Sequence, residues 1–310
     1  MAAYHSLAAD VHCVDALYIK PGIAAIYLLR AGDEVAVIET GTFHSVDNVV
    51  ATLRELSLDP SQVKYVIPTH VHLDHAGGAG EMMRRFSQAT LIVHPLGARH
   101  LVDPSRLVEG TIAVYGAERF AELYGRIEPI PQARIQIAED GARFSFNERE
   151  LLFIDTPGHA RHHFCIYDAR SAGVFTGDTF GISYESMKSL ARGLLPTTPP
   201  TQFDPPALRR SIERIMECRP ERLYLTHYGE FENPQAQLAS FDRWIDQYVD
   251  IARNQDCGAD DFAQRIEEDL LRQVLDGLDG AADESLQRLV AYDTRLNAQG
   301  LAYWRQRQDG

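Results

Sequence analysis

The chain has 310 residues, 45% of them apolar, and a formal net charge of −14. This length and apolar share suit one large domain, or one domain with an appendage. The charge argues against a nucleic-acid coat or an anionic membrane surface, because phosphate binding needs clustered Lys and Arg. Cys13, Cys165, Cys218 and Cys257 are widely spaced and form no CxxC pair, which fits a reducing compartment rather than a disulfide framework. Met1 to Cys13 carries neither a basic nor an apolar leader region, and no run of about 18 apolar residues occurs. A cytoplasmic protein, with no membrane or nucleic-acid partner, is the expectation.

In chain order, β-like runs are predicted at Val11–Ile19, Ile23–Leu29 and Val35–Ile38, with turns at Pro21-Gly22 and Gly32-Asp33. Glu39-Thr40-Gly41 ends the third. Val46 to Leu56 has apolar residues at helical spacing. Val63 to Ile67 reads as a buried strand that stops at Pro68-Thr69. Next comes Thr69-His70-Val71-His72-Leu73-Asp74-His75-Ala76-Gly77-Gly78, then a helix near Glu81–Phe86 and a strand at Ala89–Val93.

The histidine stretch points to two metal ions. In extended chain, residues two apart face the same way, so His70 and His72 reach one ion. A turn at Leu73-Asp74 aims Asp74 and His75 at a second. Imidazole and carboxylate suit zinc, iron or manganese, and no thiolate is offered.

Residues 96–131 interrupt the strand rhythm, with a loop expected over Gly97–Pro104 and an amphipathic helix over Ile112–Tyr124. Such an interruption is often functional. Strands resume at Arg134–Ile137, Arg143–Phe146 and Glu150–Ile154. Thr156-Pro157-Gly158-His159-Ala160-Arg161-His162-His163 follows, then strands at Phe164–Tyr167 and Gly173–Phe175, the latter ending in Thr176-Gly177-Asp178. A Pro- and Thr-rich loop spans Gly181–Thr201, Pro205–Cys218 is helical, and Arg222–Leu225 leads into Thr226-His227-Tyr228-Gly229. The strand and helix pattern occurs twice, so two sheets packed face to face with helices outside are expected. Ala236–Asn254, Asp260–Leu278 and Glu284–Arg305 are helical by pattern. We read them as an extension (233–310) on a domain of residues 1–232, packed on that domain or on a partner subunit in a homodimer.

The five motifs at Glu39, His70–Gly78, His159, Asp178 and His227 together resemble the metallo-β-lactamase superfamily, most closely its glyoxalase II-like and general metallohydrolase branches, over about residues 11–232. The resemblance implies an α+β four-layer αββα sandwich with a C-terminal helical extension. It implies two divalent metal ions per chain, zinc first, with iron or manganese as alternatives. His70, His72 and His159 would hold one ion; Asp74, His75 and His227 would hold the other; Asp178 would bridge them. A hydroxide bridging the ions would be the nucleophile, oriented by Asp74 as the catalytic residue, since metal binding lowers the pKa of water from ~15.7 toward about 7.

Departures from the family pattern refine this. Glu39 stands where Asp is common. Asp178 replaces the Cys of one drug-hydrolysing subclass. His162 and His163 follow the His159 motif and are candidate substrate contacts or ligand supports. Tyr115 and Tyr184, with Tyr124 and Phe180, are candidate substrate walls. Arg161 and Arg192 are the available stand-ins for a basic thioester-carboxylate site. The expected activity is hydrolysis of a small ester, thioester or lactone. The alternative is an iron-dependent redox protein on the same fold, of the sulfur-dioxygenating or oxygen-binding kind. His72 stands where the oxygen-reducing di-iron proteins resemble HxExD.

Overall fold

The computed structural model describes residues 2–188, 193–198, 201–254, 259–278 and 283–308. Strands β2 (Val11–Asp15), β3 (Ala25–Ala31) and β4 (Glu34–Ile38) form an antiparallel meander, with β1 (Tyr4–Ser6) on its edge. Then β5 (Val63–Ile67), β6 (Thr90–Val93) and β7 (Ile135–Ile137) extend the sheet in parallel. Parallel neighbours need crossover connections. These are α1 (Val46–Glu55), then α2 (Leu73–Ala76) with α3 (Ala79–Arg85), then α4 (Ala98–Val102), α5 (Ser105–Tyr115) and α6 (Ala117–Tyr124). The second sheet runs antiparallel through β8 (Arg143–Phe146), β9 (Arg149–Asp155), β10 (Phe164–Asp168) and β11 (Gly173–Ile182). Helix α7 (Pro205–Glu217) crosses to β12 (Arg222–His227), parallel to β11, and β13 (Gly229–Glu232) closes the edge.

Residue alternation explains the layers. Tyr27 and Leu29 of β3 face Phe153, Phe164, Ile166 and Phe175 of the other sheet, while Ile26 and Leu28 belong to the cluster under α1. Side chains two apart share a face, so each sheet has one apolar face for its partner sheet and one for helices. Val46, Val49 and Leu53 of α1 supply the helical side. On the far side α7 is joined by α8 (Leu238–Arg253), α9 (Ala259–Gly277) and α10 (Glu284–Gln306). Phe241 of α8 stacks on Phe180 of β11 at 5.8 Å, and Trp304 of α10 meets Phe203 edge-on at 6.5 Å. The result is the four-layer sandwich with its C-terminal helices. Among the described residues no helix is long and apolar enough to cross a membrane.

Several boundaries differ from the sequence expectation. The strand over Val11–Ile19 stops at Asp15, because its carboxylate accepts the amides of Leu17 and Gly22, each at 2.7 Å, and folds the chain into a turn. Residues 97–104 hold a short helix rather than a loop. The helix expected over Ile112–Tyr124 starts at Ser105 and is two helices broken at Gly116, whose φ of +80° suits glycine. Strand β11 runs past Phe175 to Ile182, so Asp178 lies within an irregular strand rather than after it. Part of the Gly181–Thr201 loop, with Arg192, lies outside the described residues, as does Cys257.

One buried charge pair ties the sheets together. Arg149 of β9 is bidentate to Asp168 of β10 at 3.0 and 2.5 Å, and its other guanidinium nitrogen donates to the carbonyls of Ala9 and Arg30 beside the first sheet. Both side chains are fully buried. Removing one partner strands the other charge, which costs about 3–5 kcal/mol. Arg149→Met should therefore lower the unfolding free energy by about that amount in a urea titration, and a loss below 1 kcal/mol would contradict the pair's role.

Candidate metal centre

Five imidazoles and two carboxylates meet where β5, β11 and β12 end or bend. Strand β5 stops at Ile67, the chain bends at Thr69 and His70, and His72 (φ −63°, ψ 147°) is the residue before α2. Helix α2 then turns Asp74 and His75 inward. His70 Nε2 lies 2.8 Å from His72 Nδ1, and His159 Nε2 lies 3.2 Å from the same atom. On the other side His227 Nε2 lies 3.5 Å from Asp74 Oδ2, and His75 Nε2 lies 3.7 Å from it. Asp178 stands between the groups. Its Oδ1 is 3.3 Å from His75 Nε2 and 3.7 Å from His227 Nε2, and its Oδ2 is 3.3 Å from His159 Nε2.

These residues fit metal ions. Three sets, His70-His72-His159, His70-His75-Asp178 and Asp74-His75-His227, each bring ligand atoms within 4.8 Å of one another. Tetrahedral bonds of about 2.0–2.2 Å would set ligand atoms roughly 3.3–3.6 Å apart, close to the spacings above. His75 Nε2 and Asp178 Oδ1 are buried with no hydrogen-bond partner among the described residues. An unsatisfied buried polar atom costs about 1–3 kcal/mol, and an ion between these two satisfies both. The donors in these sets are all nitrogen and oxygen, which zinc, iron and manganese accept.

Four of the five rings, those of His70, His75, His159 and His227, are aimed by a bond on the far nitrogen, as is usual for metal-binding histidines; His70 Nδ1 is 3.1 Å from Thr69 Oγ1. His227 Nδ1 donates to the Ile23 carbonyl at 2.7 Å, and His159 Nδ1 donates to Thr197 Oγ1 at 3.0 Å. Thr197 is held in turn by helix α10, where Asn297 Oδ1 accepts from Thr198 N at 2.7 Å. Glu39, buried and at φ +66°, is the central acceptor. Its carboxylate takes His75 Nδ1 at 2.9 Å, Thr69 Oγ1 at 2.6 Å, Thr69 N at 3.1 Å and Thr226 Oγ1 at 2.9 Å. One side chain at the end of β4 thus sets the strand ends of β5 and β12.

Protonation follows burial and neighbours. Burial and then adjacent histidines push His70 and His159 well below the usual imidazole pKa, and burial lowers His72 to about 4. All three stay neutral, with lone pairs free. Burial opposes charge on His75, but Asp178, Glu39 and Asp74 outweigh it and raise its pKa to about 10. A metal ion there would take the place of that proton.

The other expected site residues divide. His163 is fully buried and has both nitrogens engaged, with Thr156 Oγ1 at 2.9 Å and the Asp178 amide at 3.2 Å. It therefore supports the Asp178 backbone and has no face for the substrate contact expected of it. Gly177 is what lets it approach: a Cβ there would lie 2.4 Å from His163 Nε2, at φ +47°. His162 stacks on His70 at 6.1 Å and backs the first group. Phe180 is fully buried and stacks on Phe241. Tyr184 donates to Asp293 Oδ2 at 2.9 Å, and Tyr115 packs edge-on to Tyr124 at 6.2 Å. Sequence reading missed Tyr18, Tyr292, Asp293 and Asn297. It could have weighed Thr69 and Thr226 more, since each directly precedes a histidine of a motif. Replacing Glu39 by Gln keeps the shape but cannot accept all four donors. Glu39→Gln should weaken metal affinity about 10–100-fold in a chelator competition, and unchanged affinity would contradict the role given to Glu39.

Comparison with known proteins agrees with this geometry. The model of the metallo-beta-lactamase superfamily matches residues 19–227. A metallo-beta-lactamase fold-containing protein of Sulfurisphaera tokodaii is 27% identical over 213 residues, covering 67% of this chain and 74% of that protein. The crystal structure of this archaeal protein has a TM-score of 0.61 at 25% identity, covering 91% of this chain and 98% of that one. A human acyl-coenzyme A thioesterase is 25% identical over 195 residues, 57% of this chain and 65% of that protein. An N-acyl homoserine lactonase of Agrobacterium fabrum is 32% identical over 117 residues, 37% of this chain and 39% of that protein. The chain thus spans less than two thirds of the thioesterase and of the lactonase. With the family match covering more than half of its length and the histidine and aspartate groups converging in space, the chain belongs to the metallo-β-lactamase superfamily.

Proposed function

We propose that the protein is a dinuclear metal-dependent hydrolase of a small ester, thioester or lactone, with motifs like those of the glyoxalase II-like branch. The observation that carries this is Asp178, whose two oxygens address separate imidazole groups, His75 and His227 on one side and His159 on the other. The two relatives named as a thioesterase and a lactonase act on acyl groups bonded to sulfur or oxygen, which supports the same class here. Zinc is the first choice of ion, and iron or manganese would accept the same nitrogen and oxygen donors.

Bound ions would supply an activated water and a polarised acyl oxygen. The chain's own residues do the rest. Asp74 keeps 24% of its side chain exposed, whereas His75, Asp178 and His227 are below 10%, so substrate approaches from the Asp74 side. The Asp74 carboxylate stays ionised, because His75, His227 and His72 overcome the effect of its burial. It can orient a nucleophilic water and then hold its proton. His163 and Glu39 keep the facing groups in register, and Tyr115 and Tyr184 form part of the wall that limits water access.

Asp178→Ala tests the reading. We expect loss of at least one of two metal equivalents, read by elemental analysis, and loss of hydrolysis across an ester, thioester and lactone panel. Unchanged metal content would contradict the bridging role of Asp178. A wild-type protein that holds iron and consumes oxygen with a persulfide, while hydrolysing none of the panel, would contradict the hydrolase.

A further inference from the structure

The C-terminal helix α10 places an acid beside the metal centre, and nothing in the hydrolytic chemistry accounts for it. Asp293 is held by Tyr184, which follows β11, the strand of Asp178, and whose neighbour Ser183 is hydrogen-bonded to the backbone of His227. Asp293 keeps some accessible surface, although burial raises its carboxyl to about 7 despite the Tyr184 bond and the nearby His227. Its side chain is thus partly open to solvent rather than sealed in the core. Among the described residues no Lys or Arg forms an ion pair with it.

Tyrosines continue this wall from separate parts of the chain. Tyr18 and Tyr124 stack with centroids 5.9 Å apart and share a hydroxyl contact of 3.1 Å. Tyr115 packs edge-on to Tyr124 and is hydrogen-bonded to Tyr292, the residue before Asp293. After burial, the charge of Asp74 is the next influence raising the phenols of Tyr18, Tyr124 and Tyr115, so these rings stand near the open side of the site. Arg119, at the edge of this group, is already paired with Glu122 at 2.6 Å.

We propose that this wall binds a positively charged group of the substrate, an ammonium or quaternary ammonium, with Asp293 as its counter-ion and the tyrosine faces as its cage. Ring faces carry partial negative charge and attract cations most strongly where water is excluded. Burial disfavours charge on the Asp293 carboxyl, and a bound cation would favour its ionised form. The acidic chain, at −14, adds a field that draws cations and repels anionic thioesters. The proposal gives the C-terminal helices a role in substrate choice. It rests on the hydrolase reading for its choice of substrate.

Two measurements separate this proposal from that reading. The first is calorimetric titration of the metal-loaded protein with tetramethylammonium, which needs no turnover. Saturable binding, weakened about tenfold or more in Asp293→Asn, is expected; no binding to the wild type overturns the cage. The second compares kcat/KM of the wild type for a choline ester and for its neutral dimethylbutyl isostere. A preference of about tenfold for the cation is expected, with the ratio falling toward one in Asp293→Asn. Equal hydrolysis of both esters by the wild type overturns the cage and leaves the hydrolase standing. Hydrolysis of neither, with tetramethylammonium still bound through Asp293, upholds the cage and counts against the hydrolase. The wild-type comparison stands even if the variant does not fold.

Discussion

Asp178 must face two groups of imidazoles at once, and much of the structure follows from that demand. Its oxygens sit at hydrogen-bonding or ligand distance from His75, His159 and His227, yet Oδ1 has no hydrogen-bond partner among the described residues. A carboxylate in that position is tolerated only if cations complete it. The backbone around it is shaped accordingly. Gly177 opens room for His163, and His163 takes the Asp178 amide so that the side chain alone is left to face the centre.

The scaffold brings the remaining donors to the same rim. Parallel pairing of β4 with β5 and of β11 with β12 puts their C-terminal ends side by side, where ligands of α/β sheets collect. Glu39 at the end of β4 then ties Thr69 and Thr226 together across the two sheets. The strand ends and the site are thereby one rigid unit, with the loops and C-terminal helices built around it. Among these, α10 is a working part of the centre: Asn297 fixes Thr198, and the adjoining Thr197 fixes His159.

What could be read in the sequence was what sits close together in it. Four donors in the six positions from His70 to His75 declare themselves, and Thr-Gly-Asp or Thr-His at a strand end is a short, local pattern. The two-sheet architecture was equally visible, because the same order of strands and helix occurs twice along the chain. Groups acting over long separations were not visible. Asp293 and Asn297 are single residues in an amphipathic helix about a hundred positions from Tyr184 and Thr198, and helical spacing gives them no mark. His163 reads in the sequence, like His162, as a candidate substrate contact or ligand support. Only the return of β11 beneath it turned it into a buried support. Boundaries failed where a side chain redirected the backbone, as Asp15 does, or where one glycine broke a helix, as Gly116 does.

The central claim is that Asp178 divides two ions. Crystals of protein purified without chelator or added metal, measured at a metal absorption edge, test it directly. The account predicts two anomalous peaks about 3.5–4 Å apart, one among His70, His72 and His159 and one among Asp74, His75 and His227, with Asp178 between them. A single peak on one side, or strong peaks away from these residues, would contradict it.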